Sequence, residues 1–145
     1  MKVIPFAAAI AGLAFVGVST GSVPARADTQ SYKAALNGAS EVPATTSKGT
    51  GTAEMTYDTA SKKLTYKITY SGLSGPATGA HIHGPAEAGK NAGVAVPFAA
   101  PASPIEGSAT LTDAQAADLA AGKMYINVHT ADNKGGEIRG QISKK

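Results

Sequence analysis

Leu64-Thr65-Tyr66-Lys67-Ile68-Thr69-Tyr70 places a large apolar or aromatic side chain at every second position and a Thr or Lys between them. Successive side chains of a strand point to opposite faces, so this alternation predicts a strand with one buried and one wet face. Immediately before it, residues 51–58 carry Ala53, Met55 and Tyr57 on one face and Thr52, Glu54, Thr56 and Asp58 on the other. The link Asp58-Thr59-Ala60-Ser61-Lys62-Lys63 is turn-like, which predicts a hairpin of these two strands. An earlier strand is expected over residues 32–36. Residues 37–49, interrupted by Pro43, read as a loop.

Downstream, the turn cluster Ser71-Gly72-Leu73-Ser74-Gly75-Pro76 leads into an expected strand over 78–83, which stops at Gly84-Pro85. A long loop should follow over 84–93. One short helix is predicted over 114–121, with Thr112 as N-cap, Gln115 closing a capping box and Gly122 beyond its end. Two last strands, 124–130 and 137–142, are joined by Ala131-Asp132-Asn133-Lys134-Gly135-Gly136, whose Asn and Gly permit a reversal. Short strands between turns with one minor helix predict an all-β fold, an antiparallel Greek-key-like β-sandwich or flattened barrel.

At the N-terminus, Lys2, an apolar run over 3–18 and the small-residue site Ala25-Arg26-Ala27 have the layout of a secretory signal peptide. Residues 1–27 are therefore expected to be a leader and 28–145 one domain, periplasmic or secreted. The run falls short of the roughly 20 residues that cross a bilayer, and no membrane span is expected in the mature chain. The chain has no cysteine, so neither a disulfide nor a thiolate ligand is available. Its formal charge of +3 falls toward neutrality once Lys2 and Arg26 leave with the leader. No basic run with interleaved aromatics is present, so nucleic-acid binding has no electrostatic support. Hydrolase chemistry lacks a Gly-x-Ser-x-Gly or comparable setting for any serine, and no Gly-rich phosphate loop occurs.

All three histidines fall in two strand segments, Ala80-His81-Ile82-His83-Gly84 and Tyr125-Ile126-Asn127-Val128-His129-Thr130. Strand alternation puts His81 and His83 on one face, and puts His129 with Tyr125 and Asn127 opposite the apolar Met124, Ile126 and Val128. The apolar set must face the core, so the histidines are expected to face outward. For the last hairpin, the register that keeps apolar opposite apolar pairs Val128 with Ile138, Asn127 with Arg139 and His129 with Glu137. Glu137 could then orient His129 as an outer acceptor, with Asp132 as another outer candidate. An ordinary cross-strand pair or a Glu137–Arg139 salt bridge explains the same residues. The histidines themselves read either as ligands for copper or zinc or as polar side chains on a wet sheet face that pin the loop over 84–93.

The segments Gly79-Ala80-His81-Ile82-His83-Gly84-Pro85, Asn127-Val128-His129-Thr130 and Gly136-Glu137-Ile138-Arg139-Gly140-Gln141, with Leu36-Asn37-Gly38 and Glu41-Val42-Pro43, closely resemble the CHRD family, the domain named after chordin. The likeness runs from about residue 32 to 142. It implies an extracytoplasmic domain, found alone in bacteria and repeated in chordin, an extracellular binding protein, and it implies no settled activity. The family often has a further His or Pro after Asn-Val-His-Thr; Ala131-Asp132-Asn133-Lys134 stands there instead, and no ligand is carried over from it. More distantly, the His-x-His strand and the late Val-His resemble copper/zinc superoxide dismutases. That likeness implies copper ligation by His81, His83 and His129 and likens Arg139 to a guiding arginine, but the zinc-site histidines and the disulfide are absent. Three functions follow as expectations: a copper-type metal binder for storage, delivery or tolerance; a non-metal module that holds another extracytoplasmic protein; and a superoxide dismutase-like redox enzyme.

Overall fold

The computed structural model describes residues 27–145, so the expected leader over 1–27 lies outside the described residues except for Ala27. In chain order the strands are β1 (Thr29–Asn37), β2 (Thr50–Asp58), β3 (Lys63–Ser71), β4 (Ala77–His83), β5 (Val94–Pro97), β6 (Ile105–Thr110), β7 (Tyr125–Thr130), β8 (Ile138–Gln141) and β9 (Ser143–Lys144). A 3₁₀ turn over Gly38–Ser40 follows β1, and the helix α1 (Asp113–Ala120) precedes β7. Neighbours run β5-β4-β7-β8-β1-β2-β3-β6, with β9 added on β1. Each pairing is antiparallel, and the non-sequential contacts β4·β7, β3·β6 and β8·β1 are crossovers of the Greek-key kind.

β8 meets β1 through the single pair Asn37 and Arg139, and the sheet folds over at that seam. Tyr32, Leu36, Met55, Leu64 and Ile68 from one half face Ile82, Val96, Ile126, Val128 and Ile138 from the other in one core. Residues 64–70 behave as their alternation predicts: Leu64, Tyr66 and Ile68 are buried while Thr65, Lys67 and Thr69 are exposed. The hairpin of β2 with β3 forms over its whole length. Thr112 caps α1 and the capping box with Gln115 is complete.

Two strands arise where no alternation announced them. β5 has four residues and ends on a proline. In β6 the inward position Gly107 lies opposite Tyr66, and a Cβ there would sit 2.6 Å from the Tyr66 hydroxyl. The phenol fills the space that a β6 side chain would otherwise occupy, so this edge strand needs little apolar content of its own.

Candidate metal centre

β4 and β7 lie side by side, and their register sets His129 opposite Gly79, Asn127 opposite His81 and Tyr125 opposite His83. Ala80, Ile82, Ile126 and Val128 take the other face and enter the core, which is why alternation throws all three histidines to one side. The predicted register of β7 with β8 is observed for Val128 with Ile138 and Asn127 with Arg139.

The face lies away from the core, as expected, and it is only partly wet: His83 is buried while His81 and His129 are half-buried. Tyr125 is 2 %, Asn127 3 % and Arg139 1 % exposed. The loop over 84–93 folds across it, held where Arg139 donates to Asn91 Oδ1 (3.0 Å) and to the Lys90 carbonyl (2.5 Å). Asn91 Nδ2 in turn donates to the Val42 carbonyl at 3.0 Å, tying that loop to the segment that follows β1. These loops are short of apolar residues and cover part of the face by hydrogen bonds, which buries the polar side chains of His83, Asn127 and Arg139.

On this face, His81 Nδ1 and His129 Nε2 are 3.1 Å apart, and one ring nitrogen from each of the three histidines lies within 4.8 Å of the others. His129 Nδ1 is 2.8 Å from the Lys134 carbonyl. A carbonyl only accepts, so Nδ1 carries the hydrogen and Nε2 offers a lone pair. His83 is arranged alike: Nδ1 donates to the Ala92 carbonyl at 3.0 Å, and Nε2 is buried without a partner. Burial first, then the neighbouring His129 and His83, holds the pKa of His81 below the ordinary imidazole value. Burial also lowers that of His83, against the opposing Ala92 and Asn127 contacts. Both shifts favour neutral rings at His81 and His83, the form that ligates. An ion about 2.0–2.1 Å from three nitrogens sets them roughly 3.3–3.6 Å apart. The observed separations bracket that range, so the donor set fits a small transition-metal ion with modest side-chain adjustment.

The outer residues are placed differently from expectation. Glu137 does not orient His129, whose Nδ1 is taken by the Lys134 carbonyl, and it forms no salt bridge with Arg139. The ladder breaks at this residue, its amide donating to the Val128 carbonyl at 2.7 Å. Its carboxylate is fully buried among the hydroxyls of Ser47 (2.7 Å), Ser74 (2.7 Å) and Thr130 (2.6 Å), and also accepts from the Ser74 amide at 2.7 Å. Burial opposes that charge, yet these donors outweigh it and hold the carboxyl at about 2. Asp132 is exposed on the hairpin turn and is not a hydrogen-bond partner of the ring nitrogens. Arg139 reaches the cluster indirectly: its guanidinium lies 3.4 Å from the Tyr125 ring centroid, and Tyr125 stacks on His83 at 5.0 Å and 4°.

Glu41 was not among the residues singled out for this site. It is 5 % exposed, and burial raises its pKa against the opposing Val42 amide, Arg139, His129 and Asn127. It comes from a loop without periodicity, and its only signal was its place in Glu41-Val42-Pro43. The CHRD domain model matches residues 32–142. This chain belongs to the CHRD domain family. The CHRD match begins at Tyr32 in β1 and ends just after β8, so it takes in each strand and loop that builds the histidine cluster. Neither a curated protein nor a solved structure matches the chain. Among the described residues of this CHRD domain, no helix is long and apolar enough to cross a membrane.

Proposed function

We propose that this CHRD-domain chain is an exported protein that binds one copper-type ion through His81, His83 and His129, for storage, delivery or tolerance. The observation that carries this reading is the buried, unpartnered Nε2 of His83 beside the close nitrogens of His81 and His129. A buried polar atom without a hydrogen bond costs roughly 1–3 kcal/mol, and coordination to an ion removes that cost. Three neutral imidazoles with no thiolate favour copper, which stands highest among divalent first-row ions at nitrogen sites. Three protein ligands also leave a coordination position for water or a small molecule. Export rests on the N-terminal sequence and on the family's extracytoplasmic setting.

The test is calorimetric titration of the tag-free protein with copper, together with electron paramagnetic resonance to count nitrogen couplings. One-to-one binding that His129→Ala abolishes is the expected result. Binding no tighter than that of a variant with all three histidines replaced by alanine overturns the reading.

A further inference from the structure

Among the described residues, four buried side-chain atoms lack a hydrogen-bond partner, and three of them belong to Glu41, His83 and Asn127: Oε1, Nε2 and Oδ1. The three residues are 5 %, 9 % and 3 % exposed. They are neighbours. Asn127 is diagonal to His83 across the β4–β7 ladder, and its amide group lies beside both the Glu41 carboxyl and the His83 ring. Gly136 leaves the space in which Glu41 and Asn127 meet, since a Cβ there would sit 2.2 Å from Glu41 Oε1 and 2.7 Å from Asn127 Nδ2.

All three orphaned atoms are acceptors or lone-pair donors. The Nδ1–H of His83 is committed to Ala92, which makes Nε2 the lone-pair nitrogen. Asn127 Nδ2 reaches toward the Gly135 carbonyl at 3.4 Å, which turns Oδ1 away from it. The one donor among them, Asn127 Nδ2, lies beside Glu41, and the lone pairs left over call for a ligand that is a cation on one side and carries hydrogens on the other. A metal ion with a coordinated water has that character: the ion takes the nitrogen lone pair, and the water's two O–H groups point to the oxygens.

We propose that Glu41 and Asn127 are positioning residues that hold a protonated oxygen ligand, water in the resting state, on the metal's open coordination position. This rests on the metal reading above and adds the ligand class that the open position accepts. The Glu41 carboxylate accepts a hydrogen from the bound molecule and repels an anion that has none to give. The site therefore selects water or a hydroperoxide-type molecule over a bare anion.

The experiment loads the full chain with Cu(II) and titrates it with azide, an anion without a hydrogen, following the charge-transfer absorption of the complex. Glu41→Gln removes one negative charge beside the ligand. At an effective dielectric constant of about 20 that charge is worth enough to raise azide affinity by about tenfold or more; the same change weakens Cu(II) binding, so azide is titrated at a copper concentration that keeps the variant loaded. The pH at which the copper spectrum shifts, reporting loss of a proton from bound water, should also fall. Glu41→Asp, which retracts the same carboxyl by one methylene, is the second variant should Glu41→Gln not fold; its azide affinity should rise at least threefold. Unchanged azide affinity and pH profile in a copper-loaded variant overturn this inference and leave the metal site standing. Failure of Glu41→Gln to take up copper even at saturating Cu(II) overturns it too, because Glu41 is then itself a ligand. Failure of the unaltered protein to bind copper overturns the metal reading and this inference together.

Discussion

His83 carries two separable contributions, because one nitrogen is committed to the Ala92 carbonyl and the other has no partner. His83→Phe keeps a ring on Tyr125 while removing both. The lost hydrogen bond costs about 1 kcal/mol and the removed orphan returns a similar amount, so the metal-free protein should unfold within about 1 kcal/mol of the original. Copper affinity should fall by about 100-fold or more, beyond the loss that an outer partner typically causes. Thermal unfolding and copper titration of the same preparation separate the two effects. Retained copper affinity removes His83 from the ligand set, and collapse of the metal-free fold makes its role structural. The histidines were legible in the sequence because strand periodicity assigns a face without any knowledge of the loops. Glu41 was not, because its burial depends on where the segment after β1 lands on that face.

At the scale of elements, the β7–β8 hairpin shows how far a hydrophobic pattern reaches. It fixes Val128 against Ile138, where both side chains enter the core. It says nothing at Glu137, where the ladder breaks and hydroxyls from two loops and from the end of β7 supply a better setting for a carboxylate than an imidazole does. β5 and β6 escaped for a related reason, since their inward positions are short or filled from a neighbouring strand. The Glu137 cluster predicts a specific acid sensitivity. Its carboxyl lies at about 2 in the folded protein against 4.5 ordinarily, so the folded state binds its proton less readily than the unfolded chain. The resulting stability is fully present above about pH 4.5 and is lost as pH falls toward 2, a difference on the order of 3 kcal/mol. Glu137→Gln should lower the urea midpoint at neutral pH, and the gap from the original protein should narrow steadily as pH falls from 5 toward 2. Other carboxylates titrate alike in both proteins and cancel in that difference. Parallel loss of stability in the two proteins over this interval would rule out Glu137 as a source of the acid sensitivity.

For the whole molecule, one apolar core is shared by both halves of the folded-over sheet, while the histidine face is roofed by loops held through hydrogen bonds. No disulfide reinforces that roof. An ion bound only to the folded state stabilises it by mass action, about 2.7 kcal/mol at a free concentration 100 times the dissociation constant, but the gain need not spread evenly. Coordination of Nε2 withdraws charge from each ring and makes its Nδ1–H a stronger donor. The bonds from His83 to the Ala92 carbonyl and from His129 to the Lys134 carbonyl should therefore tighten on loading. Amides of core strands generally exchange through global unfolding, whereas loops open locally at lower cost. Copper should thus slow hydrogen exchange most at amides of the two loops, with Ala92, which donates to the Tyr125 hydroxyl at 3.2 Å, and Gly136, which donates to the Asn133 carbonyl at 3.1 Å, as reporters. Protection confined to the core strands, or unchanged at both reporters in a protein that has bound copper, would place the ion somewhere other than on His83 and His129.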